Sequence, residues 1–255
     1  IPNTKQDLTQ LLHNFSFKGW KQISDSSRET HIQMMDALRE LFSKNLDEEI
    51  PIPWAHVKCV QDLVNDPPNF HTNLPVEITP WLYLSDQKNV WDRSKIREAG
   101  ITHVLSVNDM PSHHAEILAD DLKSIGVSHK HISAEDEEGY DMIGKHWEEC
   151  HEYLSDIRAS GGKALVHCVA GINRSGFTVC AAHMILERKN LLDVVEDCVR
   201  KRGTVLWNRS FQHQLCVLAA KEGLLGEKPE GYSDEPIEIA QVPPPPKFKS
   251  LFDNF

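Results

Sequence analysis

From residue 76 onward, short runs of β-branched and apolar residues alternate with longer stretches of helical character, and this alternation constrains the fold more than any other feature. The strand candidates are Trp81-Leu-Tyr-Leu84, Ile101-Thr-His-Val-Leu-Ser-Val107, the alternating run Val127 to Ile132, and Ala164-Leu-Val-His167. Gly100, Gly126 and Gly161-Gly162 stand immediately or shortly before the last three. Helical spacing fills the intervals near 92–99, 114–124 and 141–159, and further helices follow at 175–188, 191–201 and 209–223. Strands separated by helices cannot pair as tight hairpins and lie parallel instead, with helices covering both faces. The expected fold class is therefore α/β, a mainly parallel central sheet flanked by helices. No internal repeat interrupts this pattern.

Two flanking regions read differently. Residues 1–75 are expected to form an N-terminal helical extension. Ser26-x-x-Glu29 resembles a capping box and precedes Ile32, Met35, Leu38 and Phe42 at helical spacing. A second helix is expected after Pro53, with Val57, Val60, Leu63 and Val64 on its apolar face and Pro67-Pro68 beyond its end. Such short helices bury too little surface to stand alone, so they are expected to pack on the main domain, 76–225. The C-terminal tail, 226–255, runs through Gly, Glu, Pro and Ser to Pro243-Pro-Pro-Pro246 and reads as a polyproline II linker or docking peptide.

The chemistry concentrates in one segment, Ala164-Leu-Val-His-Cys-Val-Ala-Gly-Ile-Asn-Arg-Ser-Gly176. A strand ends at His167, a tight loop runs from Cys168 to Arg174, and a helix begins near Ser175. In an open parallel sheet this is the carboxyl edge, where ligands bind. Backbone N–H groups of Cys168, Val169, Ala170, Gly171, Ile172, Asn173 and Arg174 can turn inward as an anion cradle, reinforced by the positive helix end. Gly171 permits the positive φ that a tight curl demands. Arg174 can place two N–H donors on two phosphate oxygens. The same positive field favours the thiolate of Cys168, so nucleophile and phosphate cradle are one object.

His167-Cys168-x5-Arg174-Ser175 resembles the signature of the protein tyrosine phosphatase superfamily. Ile78-Thr-Pro-Trp-Leu-Tyr-Leu84, Gly100 to Val107, and Arg202 with Asn208, Phe211, Gln214 and Leu215 are similar to segments of its dual-specificity, VH1-like branch, over about residues 76–225. The resemblance implies a protein tyrosine phosphatase-like fold and phosphoester hydrolysis through a phosphocysteine. It also implies an aspartate acid from a neighbouring loop. Asp136, in Ser133-Ala-Glu-Asp-Glu-Glu-Gly-Tyr140, is the candidate, with Glu135 second. By the same resemblance Ser175 donates to the departing thiolate, His167 holds the loop by hydrogen bonds, and Asn173 and Asn208 brace it. Where the family often has proline before that last asparagine, this chain has Trp207. Cys180 is expected in the core, on the helix after the loop, with a protective disulfide to Cys168 as the alternative.

Composition narrows the partners. A net charge of −11 over 255 residues disfavours nucleic acid and anionic membranes. No apolar run approaches the roughly 20 residues needed to span a bilayer, and no signal-peptide pattern opens the residues given, which start at Ile1. The six cysteines form no Cys-x-x-Cys, and the fourteen histidines show no ligand spacing, so neither metal nor cofactor is expected. Sparse thiols fit a reducing compartment, the cytoplasm or the nucleus, and on that reading the acceptor patterns at Asn14 and Asn208 are chance matches. Expected substrates are phosphoproteins carrying phosphotyrosine and phosphoserine or phosphothreonine, MAP kinases among them. The N-terminal helices or Pro-rich tail could serve as docking elements. Two alternatives stay open: the same chemistry on phosphoglucan, phosphoinositide or RNA 5′-triphosphate, and a phosphate-reading scaffold without turnover.

Overall fold

The computed structural model describes residues 51–65, 67 and 73–237. The helix expected at Ser26 to Phe42 and the Pro243–Pro246 run lie outside them.

Helix α1, Trp54–Asn65, starts directly after Pro53 and buries Ala55, Val57, Val60 and Val64. Five strands follow: β1 Val76–Thr79, β2 Leu82–Asp86, β3 His103–Val107, β4 Ser128–Ile132 and β5 Ala164–Cys168. They form one sheet of order β1-β2-β5-β3-β4, in which only β1 is antiparallel to its neighbour. This is the expected α/β architecture. β1 is an addition to the sequence reading, which placed no strand there: it is four residues long, it is broken in pattern by Glu77, and it occupies an edge.

The helices are α2 Arg93–Glu98, α3 Ser112–Lys123, α4 Glu148–Ala159, α5 Arg174–Glu187, α6 Leu191–Arg202 and α7 Arg209–Glu222. A wide π-helical turn, Ile143–Trp147, leads into α4. Period-two alternation assigns the strands' side chains to two cores. Tyr83, Val104 and Leu165 join Ile96, Leu118 and Leu122 beneath α2 and α3. Leu84, Leu105 and Val166 join Phe177, Leu154, Val194 and Leu215 beneath α4 to α7. Because both faces are covered, β5 is buried along its whole length. Helix α5 is buried from Arg174 to Met184, so the segment that leaves the sheet edge at Cys168 passes straight into the core.

α1 packs on α6 and α7, as expected of a helix too short to stand alone. The chain after α7 folds back over it. Asp234 Oδ1 accepts from Ala55 N at 3.2 Å, satisfying an N-terminal donor of α1. Tyr232 donates to Asp62 at 2.8 Å, and Lys58 Nζ donates to Ser233 Oγ at 3.0 Å. Residues 226–237, placed by the sequence reading with a separate tail, thus lie against α1, with Ile237 on the core.

Candidate active site

β5 ends at Cys168 and α5 begins at Arg174. The loop between them is clamped from three sides. Gln87 N donates to Val169 O at 3.1 Å beyond the end of β2, and Leu206 N donates to Ile172 O at 3.0 Å from the α6–α7 connection. Arg202 Nη2 donates to Ala170 O at 3.4 Å. Gly171 has φ +67°, and a Cβ there would lie 2.6 Å from Ser85 O, so only glycine fits both the conformation and the space.

Cys168 is buried, and its Sγ accepts from Ser175 Oγ at 3.1 Å. Arg174 is also buried. Its Nη1 donates to Asp109 Oδ1 at 2.8 Å and to Ala134 O at 2.9 Å, while its Nε is buried without a hydrogen-bond partner. A buried guanidinium N–H left open at the mouth of a cradle is a place for an anion oxygen. Asp109 is a site residue the sequence reading missed. It is exposed, and the adjacent guanidinium holds its carboxyl below the usual range, chiefly through their hydrogen bond. Its only signal in the sequence was its place just past β3, on the same carboxyl edge of the sheet.

The acidic run after β4 is sorted by what each carboxylate meets. Asp136 Oδ2 lies 3.8 Å from Arg174 Nε and accepts from Asn173 Nδ2 at 3.3 Å, while Oδ1 accepts from Asn208 Nδ2 at 3.4 Å. Glu138 instead caps α7, accepting from Arg209 N at 2.9 Å and Ser210 N at 3.0 Å. Glu135 is exposed like Asp136, but among the described residues no hydrogen bond or ion pair of its side chain reaches the loop. Of the two candidates for the acid, the fold therefore brings Asp136 to the cradle and leaves Glu135 outside.

Asn208 joins three elements. Its Oδ1 caps α7 by accepting from Ser210 N and Phe211 N, its N donates to Asn173 Oδ1 at 3.0 Å, and its Nδ2 donates to Glu137 O at 3.1 Å. So engaged and buried, it is no glycan acceptor. Gln214 steadies the far end of the acid loop, donating to Tyr140 O at 2.7 Å and accepting from Met142 N at 2.8 Å. Trp207 stands between two residues tied to the loop, with its side chain 55% exposed beside the site. His167 lies behind the loop and touches the Cys168 carbonyl.

None of the six cysteines is in a disulfide. Cys180 hydrogen-bonds Cys198, and together with burial this pushes its thiol well up. The Cys168–Cys180 bridge is not formed, because α5 carries Cys180 into the core beside α6. No group of metal-ligating side chains occurs among the described residues, and none of their helices is long and apolar enough to cross a membrane.

A buried cysteine and a buried arginine bound a tight loop between a parallel strand and a buried helix, the strand–loop–helix arrangement of an anion site. Residues 82–221 match the family model "Dual specificity phosphatase, catalytic domain", and the chain belongs to that family. It is 35% identical over 183 residues to dual specificity protein phosphatase 2 of Mus musculus, covering 70% of this chain and 54% of that protein. It is 30% identical over 143 residues to dual specificity protein phosphatase 26 of Homo sapiens, covering 56% and 65%. The chain thus spans about half to two thirds of the length of these relatives. The crystal structure of human DUSP28 shares the fold, with TM-score 0.50 and 20% identity over 62% of this chain and all of that one.

Proposed function

We propose that the chain hydrolyses phosphotyrosine and phosphoserine or phosphothreonine in proteins through a phosphocysteine on Cys168. The observation that carries this is one loop that holds the buried Cys168 at its start and the buried Arg174 at its end, with the Arg174 Nε free of hydrogen bonds and the Asp136 carboxylate 3.8 Å from it. Nucleophile, anion clamp and acid share one small volume.

In the first step the Sγ–P bond forms as the P–O bond to the leaving group breaks. Asp136, protonated, gives its proton to the departing oxygen, a poor leaving group as a bare alkoxide or phenoxide. The cradle's N–H groups and the Nε–Nη2 edge of Arg174 hold the equatorial oxygens, while Nη1 stays with Asp109 and Ala134. In the second step water attacks phosphorus, Asp136 takes its proton, and the S–P bond breaks with the Ser175 hydroxyl donating to the emerging thiolate. No metal enters either step. Val169, Ala170, Gly171, Ile172 and Asn173 supply no basic side chain for the further phosphates of an inositol lipid, which favours a protein substrate.

Phosphoproteins such as MAP kinases fit as partners, with α1 and the segment folded over it as a docking face. Six free thiols suit a reducing compartment, cytoplasmic or nuclear. The test is a turnover panel of phosphotyrosine and phosphothreonine peptides, inositol phosphates, 5′-triphosphate RNA and phosphoglucan, with Cys168→Ser as control. Peptide hydrolysis abolished by Cys168→Ser is expected. Preference for another panel member moves the substrate class, and full activity in Cys168→Ser removes the mechanism.

A further inference from the structure

Behind the loop lies a largely buried polar chain that the reaction just described does not use. Ser106, on β3 beside the central strand β5, is fully buried, and its neighbour in register on β5 is His167. Ser106 Oγ lies 2.6 Å from His167 Nε2 and 2.7 Å from His129 Nε2, the latter reaching across from β4. At the other end, His167 Nδ1 lies 3.2 Å from the carbonyl oxygen of Cys168. Four residues on three strands thus form one line ending on the backbone of the nucleophile.

The proton positions along this line follow from what each group can do. A carbonyl only accepts, so His167 must carry its proton on Nδ1, which leaves Nε2 as an acceptor. Ser106 has a single hydroxyl proton and must give it to that Nε2. Its oxygen is then free to accept, so His129 supplies the Nε2–H. The order runs His129 Nε2–H to Ser106 Oγ, Ser106 Oγ–H to His167 Nε2, and His167 Nδ1–H to the Cys168 carbonyl. Reversing any one bond leaves a buried donor facing a donor or an acceptor facing an acceptor, which costs more than the bond contributes. Burial, the larger cause, together with neighbouring charge, lowers both histidines to about 4, so both are neutral near pH 7 and the single-tautomer argument applies. The titratable groups facing the line are His131 on β4, Asp86 on β2 and Cys168 itself. His131 is tied separately, its Nε2 lying 2.9 Å from Asn108 O.

We propose that Ser106 and His129 are positioning residues for the phosphate loop: they lock His167 in its Nδ1–H tautomer, so that its donor pins the Cys168 carbonyl and orients Sγ for in-line attack. This rests on the phosphatase reading. Ser106 and His167 are fully buried and His129 partly so, and packed hydrophobes could readily replace the two buried side chains if packing were their only role. What an apolar set could not supply is a directed N–H at the strand-to-loop junction.

The experiment uses long-range ¹⁵N–¹H imidazole spectra of the full chain, steady-state kinetics on a small aryl phosphate, and the rate of Cys168 alkylation by iodoacetamide across pH, for wild type, Ser106→Ala, His129→Gln and His129→Phe. In wild type, His167 is protonated at Nδ1 and His129 at Nε2. Ser106→Ala gives His167 mixed tautomers, kcat reduced by up to about 10²-fold with KM little changed, and a displaced alkylation profile, since a misplacement near 1 Å costs on that order. His129→Phe, which keeps a ring without a donor, lowers kcat by about tenfold, and His129→Gln, whose amide nitrogen can stand where Nε2 stood, restores it. A wild-type His167 protonated at Nε2 overturns the proposal, as does a Ser106→Ala chain with wild-type spectra and rates, or equal behaviour of the Gln and Phe variants. If wild type turns over no phosphate ester, the phosphatase reading fails, while the spectra and the alkylation still decide the role of the line.

Discussion

Gly171→Ala separates conformational strain from steric exclusion in the phosphate cradle. Two costs act at this position. The first is the left-handed backbone, φ +67°, worth about 1–2 kcal/mol for a residue with a Cβ, less about 0.4–1 kcal/mol recovered from the stiffer unfolded chain. The second is contact: the new Cβ would lie 2.6 Å from Ser85 O and 2.9 Å from Ser85 C. Relief to an ordinary separation of roughly 3.5 Å requires a shift near 0.9 Å. Ser85 cannot yield, since it is buried in β2 and paired in register with His167 on β5. The loop must move, at a further cost of about 1–3 kcal/mol. Gly126→Ala is the matched control, with φ +79°, no atom within 4 Å of its Cβ, and a position in the α3–β4 turn. Urea denaturation should show a loss of about 2–4 kcal/mol for Gly171→Ala and about 1 kcal/mol or less for Gly126→Ala. Turnover of an aryl phosphate should fall by about 10²-fold or more only in the first, because the displaced atoms are those that hold phosphate. Equal stability and equal kcat/KM in the two variants would refute the claim that the cradle is fixed by its contact with β2.

Arg174→Lys keeps the charge but loses the planar fork, and since Nη1 already serves Asp109 and Ala134, a single ammonium cannot serve both protein and phosphate; kcat/KM should fall by on the order of 10²-fold or more, and a near-wild-type rate sinks the bidentate assignment. Asp136→Asn should lose about 10²–10⁴-fold on phosphothreonine peptides and less on matched phosphotyrosine peptides, because the alkoxide is the more basic leaving group; small, equal losses on both would remove Asp136 from the acid role. Acid should destabilise the fold. His167 and His129 sit at about 4 in the native state, mainly through burial, against roughly 6.5 unfolded, so their contribution is intact above pH 6.5 and is lost as pH falls through 4. For fully buried His167 this amounts to on the order of 3 kcal/mol, and for partly solvated His129 to less. Urea midpoints at pH 7, 6 and 5 measure it, and a flat profile contradicts the neutral pair.

Much of the site was legible along the chain because its parts are local. Cys168, Arg174 and Ser175 fall within one strand–loop–helix segment, and glycine at 171 signals the curl that makes the cradle. The α/β class was legible for a similar reason: strand and helix periodicities are short-range properties, and covered parallel strands announce themselves as apolar runs. Edge strand β1 escaped because four residues with Glu77 in the second position carry little pattern.

What the tertiary structure decided are relations between residues far apart in sequence. Four acidic residues, Glu135 to Glu138, are equivalent by composition, and only the angle at which the loop leaves β4 turns Asp136 toward Arg174 and sends Glu138 to the start of α7. Asp109 pairs with Arg174 because β3 and β5 are neighbours in the sheet, an order that consecutive strands do not reveal. The same adjacency puts Ser106 between two histidines from different strands. Residue types and their local spacing thus set the cysteine–arginine loop and the fold class, since covalent neighbours carry those signals. Strand order and register determined which carboxylate, which ion pair and which polar line accompany them, because a contact between distant residues exists only once the sheet has brought their strands side by side.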